Sequence, residues 1–131
     1  MTIQRLNPLE AFAAIKTNPF AVLVDVRDPL EFQFVGHPFG AINIPWKYAP
    51  DWLSNRHFVA QVKDLAPDPA TPLFLLCRSG QRSMDAAIAL EIAGFSRLTN
   101  IEEGFEGPLD SHKHRSTMGG WRFHGLPWQQ G

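Results

Sequence analysis

The stretch Thr71-Pro72-Leu73-Phe74-Leu75-Leu76-Cys77-Arg78-Ser79-Gly80-Gln81-Arg82-Ser83-Met84-Asp85-Ala86-Ala87 decides the fold. Its apolar run behind Pro72 predicts a short buried strand. From about Ser83 the spacing of Met84, Ala87, Ile88 and Glu91 turns helical, until Gly94 closes the run. Between strand and helix lies a loop with a cysteine at its entrance. In an open α/β sheet the carboxyl end of a strand opens into a crevice, and the next helix presents its free N–H groups there. Residues Arg78 to Arg82 are expected to curl so that successive amides converge on the Cys77 sulfur, a positively polarised nest reinforced by the helix dipole. Gly80 supplies the residue free to take positive φ that such a turn needs. Arg78 and Arg82 add two fixed cations at the rim. Cys77 is therefore expected to ionise below the ordinary cysteine value of about 8.5 and to act as a nucleophile at neutral pH. The competing expectation is that Cys77 is the last apolar residue of a core strand. Amides turned outward, or a sulfur sealed from solvent, would leave only that second role.

Composition narrows the setting. A chain of 131 residues fits one domain, spanning 1–131, long enough to bury about two thirds of its unfolded surface in a single core. The balance of 12 Lys plus Arg against 13 Asp plus Glu carries no footprint for nucleic acid or an anionic membrane, so any anion preference must be local. No apolar run approaches the roughly 20 residues of a membrane span, and the start Met1-Thr2-Ile3-Gln4-Arg5-Leu6 lacks the apolar centre of a secretion signal. A cytoplasmic protein is expected. The single cysteine leaves no disulfide framework, no paired-cysteine metal site and no resolving thiol.

Outward from the loop, Thr2 to Leu6 reads as a short first strand. Asn7 caps a helix with Pro8 at its first position, which runs until Asn18-Pro19. The run from Phe20 to Val26 is almost unbroken in apolar residues, as expected for a central parallel strand covered on both faces. After it, Asp28 and Pro29 open a short helix. Asp25, Arg27 and Glu31 read as structural, through caps and an i,i+4 ion pair, and His37 reads as a hydrogen-bonded turn residue. Gly36 to Pro45 forms a turn and a brief strand. From Trp46 to Pro69 the spacing of Tyr48, Trp52, Phe58, Val62 and Leu65 predicts one or two helices, and Ser96 to Ile101 a last strand. Together these elements predict an α/β domain of three layers, a mostly parallel sheet of about five strands with helices on both faces.

The loop Cys77-Arg78-Ser79-Gly80-Gln81-Arg82-Ser83 resembles the active-site loop of the rhodanese family. In that family the cysteine takes a sulfane sulfur from a donor such as thiosulfate and becomes a persulfide. The segments Asp25 to Phe32 and Gly36 to Pro45 are similar to the family's amino-terminal signature, with Pro38-Phe39 where it usually has Ile-Pro. Trp121 and Gly125-Leu126-Pro127 resemble its closing stretch. The resemblance covers nearly the whole chain. It implies a thiosulfate sulfurtransferase of the rhodanese type, with Cys77 catalytic and Arg78, Ser79, Gly80, Gln81, Arg82 and Ser83 binding substrate. Arg78 and Arg82 would hold the departing oxyanion. No metal or organic cofactor is required. With no second cysteine, the sulfur must leave to an external thiol, to cyanide or to a thiol protein.

Protein tyrosine phosphatases place one more residue between cysteine and arginine than the four found here, Arg78 to Gln81. The shorter ring suits a single extra sulfur better than a tetrahedral oxyanion. A cysteine-based phosphatase or arsenate reductase remains the enzymatic competitor, and a non-catalytic rhodanese module that binds a partner is the other. The insertion Glu106 to Gly120 is expected to leave from the last strand on the active-site rim and to form part of the pocket mouth. Its cluster His112-Lys113-His114-Arg115 reads as a solvated loop, an anion-gathering rim or, least supported by its spacing, a metal site. Phe105, Trp121, Phe123 and Trp128 are expected to pack the tail on the core.

Overall fold

The structure, a computed structural model, describes residues 3–131. β1 (Gln4–Leu6) leads into α1 (Pro8–Thr17), where Asn7 and Glu10 form a reciprocal capping box. Thr2, the expected start of that strand, lies outside the described residues. β2 (Val22–Asp25) follows, then a π-helical turn (Glu31–Val35), β3 (His37–Pro38) and β4 (Ile42–Asn43). A hairpin of β5 (Lys47–Tyr48) and β6 (Leu53–Ser54) precedes α2 (Phe58–Leu65). β7 (Leu73–Leu76), α3 (Gln81–Ile92), β8 (Leu98–Ile101) and β9 (Trp128–Gln129) complete the order.

Five strands form one wholly parallel sheet in the order β1-β8-β7-β2-β4, with Val24 opposite both Leu75 and Ile42. Because successive side chains of a strand point to opposite faces, β7 feeds two cores. Leu73, Leu75 and Cys77 pack with Phe58 and Val62 of α2 and Ala86, Ala87 and Leu90 of α3. Phe74 and Leu76 face the other way, onto Ala11 of α1 and onto Phe105, Trp121 and Leu126 of the carboxyl-terminal segment. The expected three layers are present, and the central strands are apolar on both faces for that reason.

Three local differences from the sequence expectations have physical causes. Residues 46–57 form a hairpin rather than helix, because Trp46 is tied to the sheet by its amide on the Val26 carbonyl and receives the amide of Asn55 in return. Pro45 and Pro50 cannot supply helical N–H donors, and Tyr48, Trp52 and Leu53 stay exposed. The helix after β7 begins at Gln81 rather than Ser83, since Gly80 already turns the chain with φ of 116°. The i,i+4 pair of Arg27 with Glu31 does not form. Arg27 instead grips Asp25, and both side chains are fully buried with Nη2 to Oδ2 at 2.6 Å.

Candidate active site

The loop stands at the carboxyl end of β7, and its backbone is held from one side. The Phe105 amide donates to the Cys77 carbonyl at 2.8 Å, and the amides of Glu106 and Gly107 to the Arg78 carbonyl at 3.0 and 3.2 Å. This contact is so close that a Cβ on Gly104 would lie 2.4 Å from the Cys77 carbonyl oxygen. Only glycine fits there, at φ of 63°. The insertion therefore begins as a buttress behind the loop, and none of its residues lines the clefts beside the cysteine, contrary to the expected mouth.

Cys77 Sγ receives the Gly80 amide at 3.1 Å and stands 3.3 Å from the Ser83 hydroxyl. Gly80 takes the positive φ expected of it. The convergence of amides is narrower than expected, since Gly80 alone among Arg78 to Arg82 donates to the sulfur. The amides of Arg78, Ser79, Gln81, Arg82 and Ser83 make no hydrogen bond to protein atoms among the described residues. The chain of contacts continues outward. Ser83 Oγ is bonded to Asn100 Oδ1, and Asn100 Nδ2 donates to the Gly80 carbonyl at 3.2 Å and to Glu102. Asn100 and Ser83 are both buried. A buried hydroxyl and amide so placed hold the loop by its own glycine carbonyl.

Cys77 is 1% exposed and belongs to the core on the α2 and α3 side. The expectation of a sulfur open to solvent is not met. In this conformation the sulfur has the core place that the competing sequence expectation gave it. The sulfur differs from an ordinary core cysteine in its contacts, an N–H and an O–H rather than hydrocarbon alone.

Arg78 is exposed and forms no side-chain hydrogen bond or ion pair among the described residues. Arg82 is different. Its guanidinium meets both carboxylate oxygens of Glu31 at 2.7 and 2.9 Å and stacks over the Trp52 ring at 4.9 Å. Burial works against charge on both partners, yet the hydrogen bonds and field of the pair outweigh it. The Glu31 carboxyl is held below its ordinary value and the Arg82 guanidinium is raised. The rim thus carries one free arginine, not the two expected, because a bidentate pair has spent the second.

Lys47, Trp52, Arg78 and Arg82 line a cleft of about 370 Å³ on one side of the loop. Arg5, Ser79, Gly80, Gln81, Met84 and Glu102 line another of about 340 Å³ on the other. A pocket at the opposite, amino-terminal end of the sheet, with Gln4, Asn18, Arg97 and Thr99, contains no cysteine, histidine or carboxylate. Beneath the loop, Asn43 Nδ2 bridges the carbonyls of Asp25 and Arg27. His37 is buried, its Nδ1 on the Phe32 carbonyl at 2.8 Å and its ring stacked on Phe32, a structural role as expected.

His112, Lys113 and His114 are exposed. Asp110 organises their turn by accepting the Thr117 hydroxyl and the amides of His114 and His112, which together hold its carboxyl below its ordinary value. No group of three metal-ligating side chains occurs among the described residues. Trp121 is buried and donates to the Pro127 carbonyl, and Phe105 is buried, but Phe123 is half exposed rather than packed. Sequence reasoning missed Asn100, Lys47 and the Glu31 to Arg82 pair. Asn100 had a signal, a polar residue inside an otherwise core strand.

A parallel sheet with this cysteine loop at its carboxyl edge defines a class of α/β domain, and the comparisons agree. The rhodanese-like domain profile matches residues 8–109, and the chain belongs to that family. An uncharacterised protein of Rickettsia conorii is 34% identical over 98% of this chain and 99% of its own length. The thiosulfate:glutathione sulfurtransferase of Saccharomyces cerevisiae is 35% identical over 74% of this chain and 70% of its own. The crystal structure of Rv0390 from M. tuberculosis matches with a TM-score of 0.90 and 39% identity over 100% of both chains. No helix among the described residues is long and apolar enough to cross a membrane.

Proposed function

We propose that the chain acts as a single catalytic domain in the cytoplasm, a sulfurtransferase that carries sulfane sulfur from a thiosulfate-like donor to an external thiol or cyanide. The supporting observation is the Cys77 sulfur at the end of β7 with the Gly80 amide donating to it and the Ser83 hydroxyl oxygen 3.3 Å away. Cys77 attacks the outer sulfur of thiosulfate, the donor S–S bond breaks, and its electron pair leaves with sulfite. The Cys77 persulfide then yields its outer sulfur to the acceptor. The Gly80 donor stabilises charge on sulfur, and the unspent amides of Arg78, Ser79, Gln81 and Arg82 are available to the outer atom. Arg78 binds the oxyanion, while Arg82 shapes the cleft through Glu31. Naming of the yeast relative as a thiosulfate:glutathione sulfurtransferase supports the donor and acceptor classes.

Intact mass measurement after thiosulfate treatment and desalting tests this. Wild type gains one sulfur atom and Cys77→Ser does not. Equal gain by both would move the chemistry elsewhere. The burial of Cys77 favours a second reading, a rhodanese-like module that binds a partner without turnover. Under it, wild type gains no sulfur from thiosulfate.

A further inference from the structure

Three of the 12 Lys and Arg side chains are in ion pairs with carboxylates among the described residues. Arg5 pairs with Glu102, Arg27 with Asp25 and Arg82 with Glu31. Arg78 and Lys47, which line the cleft reaching the cysteine loop at Arg78 and Arg82, have no carboxylate partner among the described residues. Lys47 is half-buried, and its backbone is pinned. The preceding Trp46 donates to the Val26 carbonyl at the end of the central strand, and Lys47 pairs with Ser54 across the hairpin. An ammonium and a guanidinium that line one cleft without a carboxylate partner attract an anion there.

We propose that Lys47 and Arg78 together form the donor subsite and select a doubly charged sulfur oxyanion, an inference that rests on the sulfurtransferase reading above. Thiosulfate brings two negative charges, and its leaving group, sulfite, keeps both. Attack by the Cys77 thiolate forms the new S–S bond and breaks the old one, so total charge is conserved at three negative charges. Two cations on one wall match a dianion before and after that step. An arylthiosulfonate reacts in the same way, releasing a sulfinate, but carries one charge on each side. The subsite therefore discriminates by charge, and Arg82, which would have supplied a third cation, is neutralised by Glu31.

The experiment compares wild type, Lys47→Met, Lys47→Arg and the control Lys63→Met, an exposed helical lysine outside this cleft. Each is assayed for kcat and KM with thiosulfate and with benzenethiosulfonate, using cyanide as acceptor, after its thermal unfolding is matched to wild type. Lys47→Met is expected to lower kcat/KM for thiosulfate by roughly tenfold or more, as loss of one charge-assisted contact implies, mainly through KM. For benzenethiosulfonate the drop stays within about threefold on the same basis. Lys47→Arg restores most of the thiosulfate activity, and Lys63→Met behaves as wild type. An active wild type with Lys47→Met unchanged on thiosulfate, or with both donors impaired alike, overturns the subsite. A wild type inactive with both donors instead overturns the sulfurtransferase reading itself.

Discussion

Arg82 and Glu31, separated by 51 positions in the chain, are joined through both guanidinium nitrogens and both carboxylate oxygens at 2.7 and 2.9 Å. The pair ties the start of α3 to the π-helical turn after β2, so the cysteine loop is fixed to the next strand's connection. Glu31 also accepts the Asp28 amide. Arg82 of α3 and the amide of Asp28 after β2 thus converge on one carboxylate at the edge of the cleft.

Its pH signature follows from sign. Glu31 is held below its ordinary value in the folded chain. The stability it contributes is therefore fully present above the unfolded value of about 4.3 and is lost as pH falls through the lower folded value. Glu31→Gln is expected to cost about 1.5–3 kcal/mol at pH 7, the range for hydrogen bonds to charged groups. The gap between variant and wild type should begin to close as pH falls below about 4.3 and vanish only below the folded value. Urea unfolding across pH measures this, and a constant gap between the two curves down to acid would contradict it.

The Asp25 to Arg27 pair makes a second expectation. Both side chains are fully buried, Arg27 also donates to the Gly36 carbonyl, and its cation lies 4.7 Å above the Phe105 ring. Removing one partner leaves an uncompensated charge in the core. Asp25→Ala should cost about 3–5 kcal/mol, read from the denaturant midpoint. Loss of less than about 1 kcal/mol, the level of a surface pair, would show that water reaches Arg27.

Gly104 is the third. A methyl group there would meet the Cys77 carbonyl oxygen at 2.4 Å and the Arg78 carbonyl carbon at 2.6 Å. Gly104→Ala should lose about 1–3 kcal/mol from the positive φ alone. It should also push the loop backbone away from β8. Sulfur loading per folded molecule, by mass after thiosulfate, should then fall further than stability explains. Normal loading would mean the loop tolerates the shift.

Access to Cys77 is the fourth. With 1% of the residue exposed, alkylation by iodoacetamide in the native protein should run roughly tenfold or more below the unfolded chain, since it waits on local opening. Trp52, stacked with Arg82 in the cleft beside the loop, is 44% exposed, with φ of 56°, and is the large side chain of that cleft to remove. Trp52→Ala should accelerate alkylation without lowering global stability by more than about 1 kcal/mol. Native and unfolded rates that agree would show the sulfur to be open already.

The layers, the central strands and the cysteine loop were legible because each is written in local pattern. An unbroken apolar run from Leu73 to Leu76 has only one stable place, a strand covered on both faces, and Gly80 marks the turn to α3. What the chain alone did not reveal were relationships across long separations. The pairing of Glu31 with Arg82 displaced the nearer Arg27, because the Asp25 carboxylate, two residues away, had claimed that guanidinium in the core. Lys47 became a cleft residue only once Trp46 was tied to Val26. Whether Cys77 lies open or covered depended on how α2 and α3 close over its face of the sheet, and no local spacing encodes that. Periodicity reports which face a side chain takes within its own element. Charge partners and exposure are set by which elements meet, and that is decided only when the sheet is assembled.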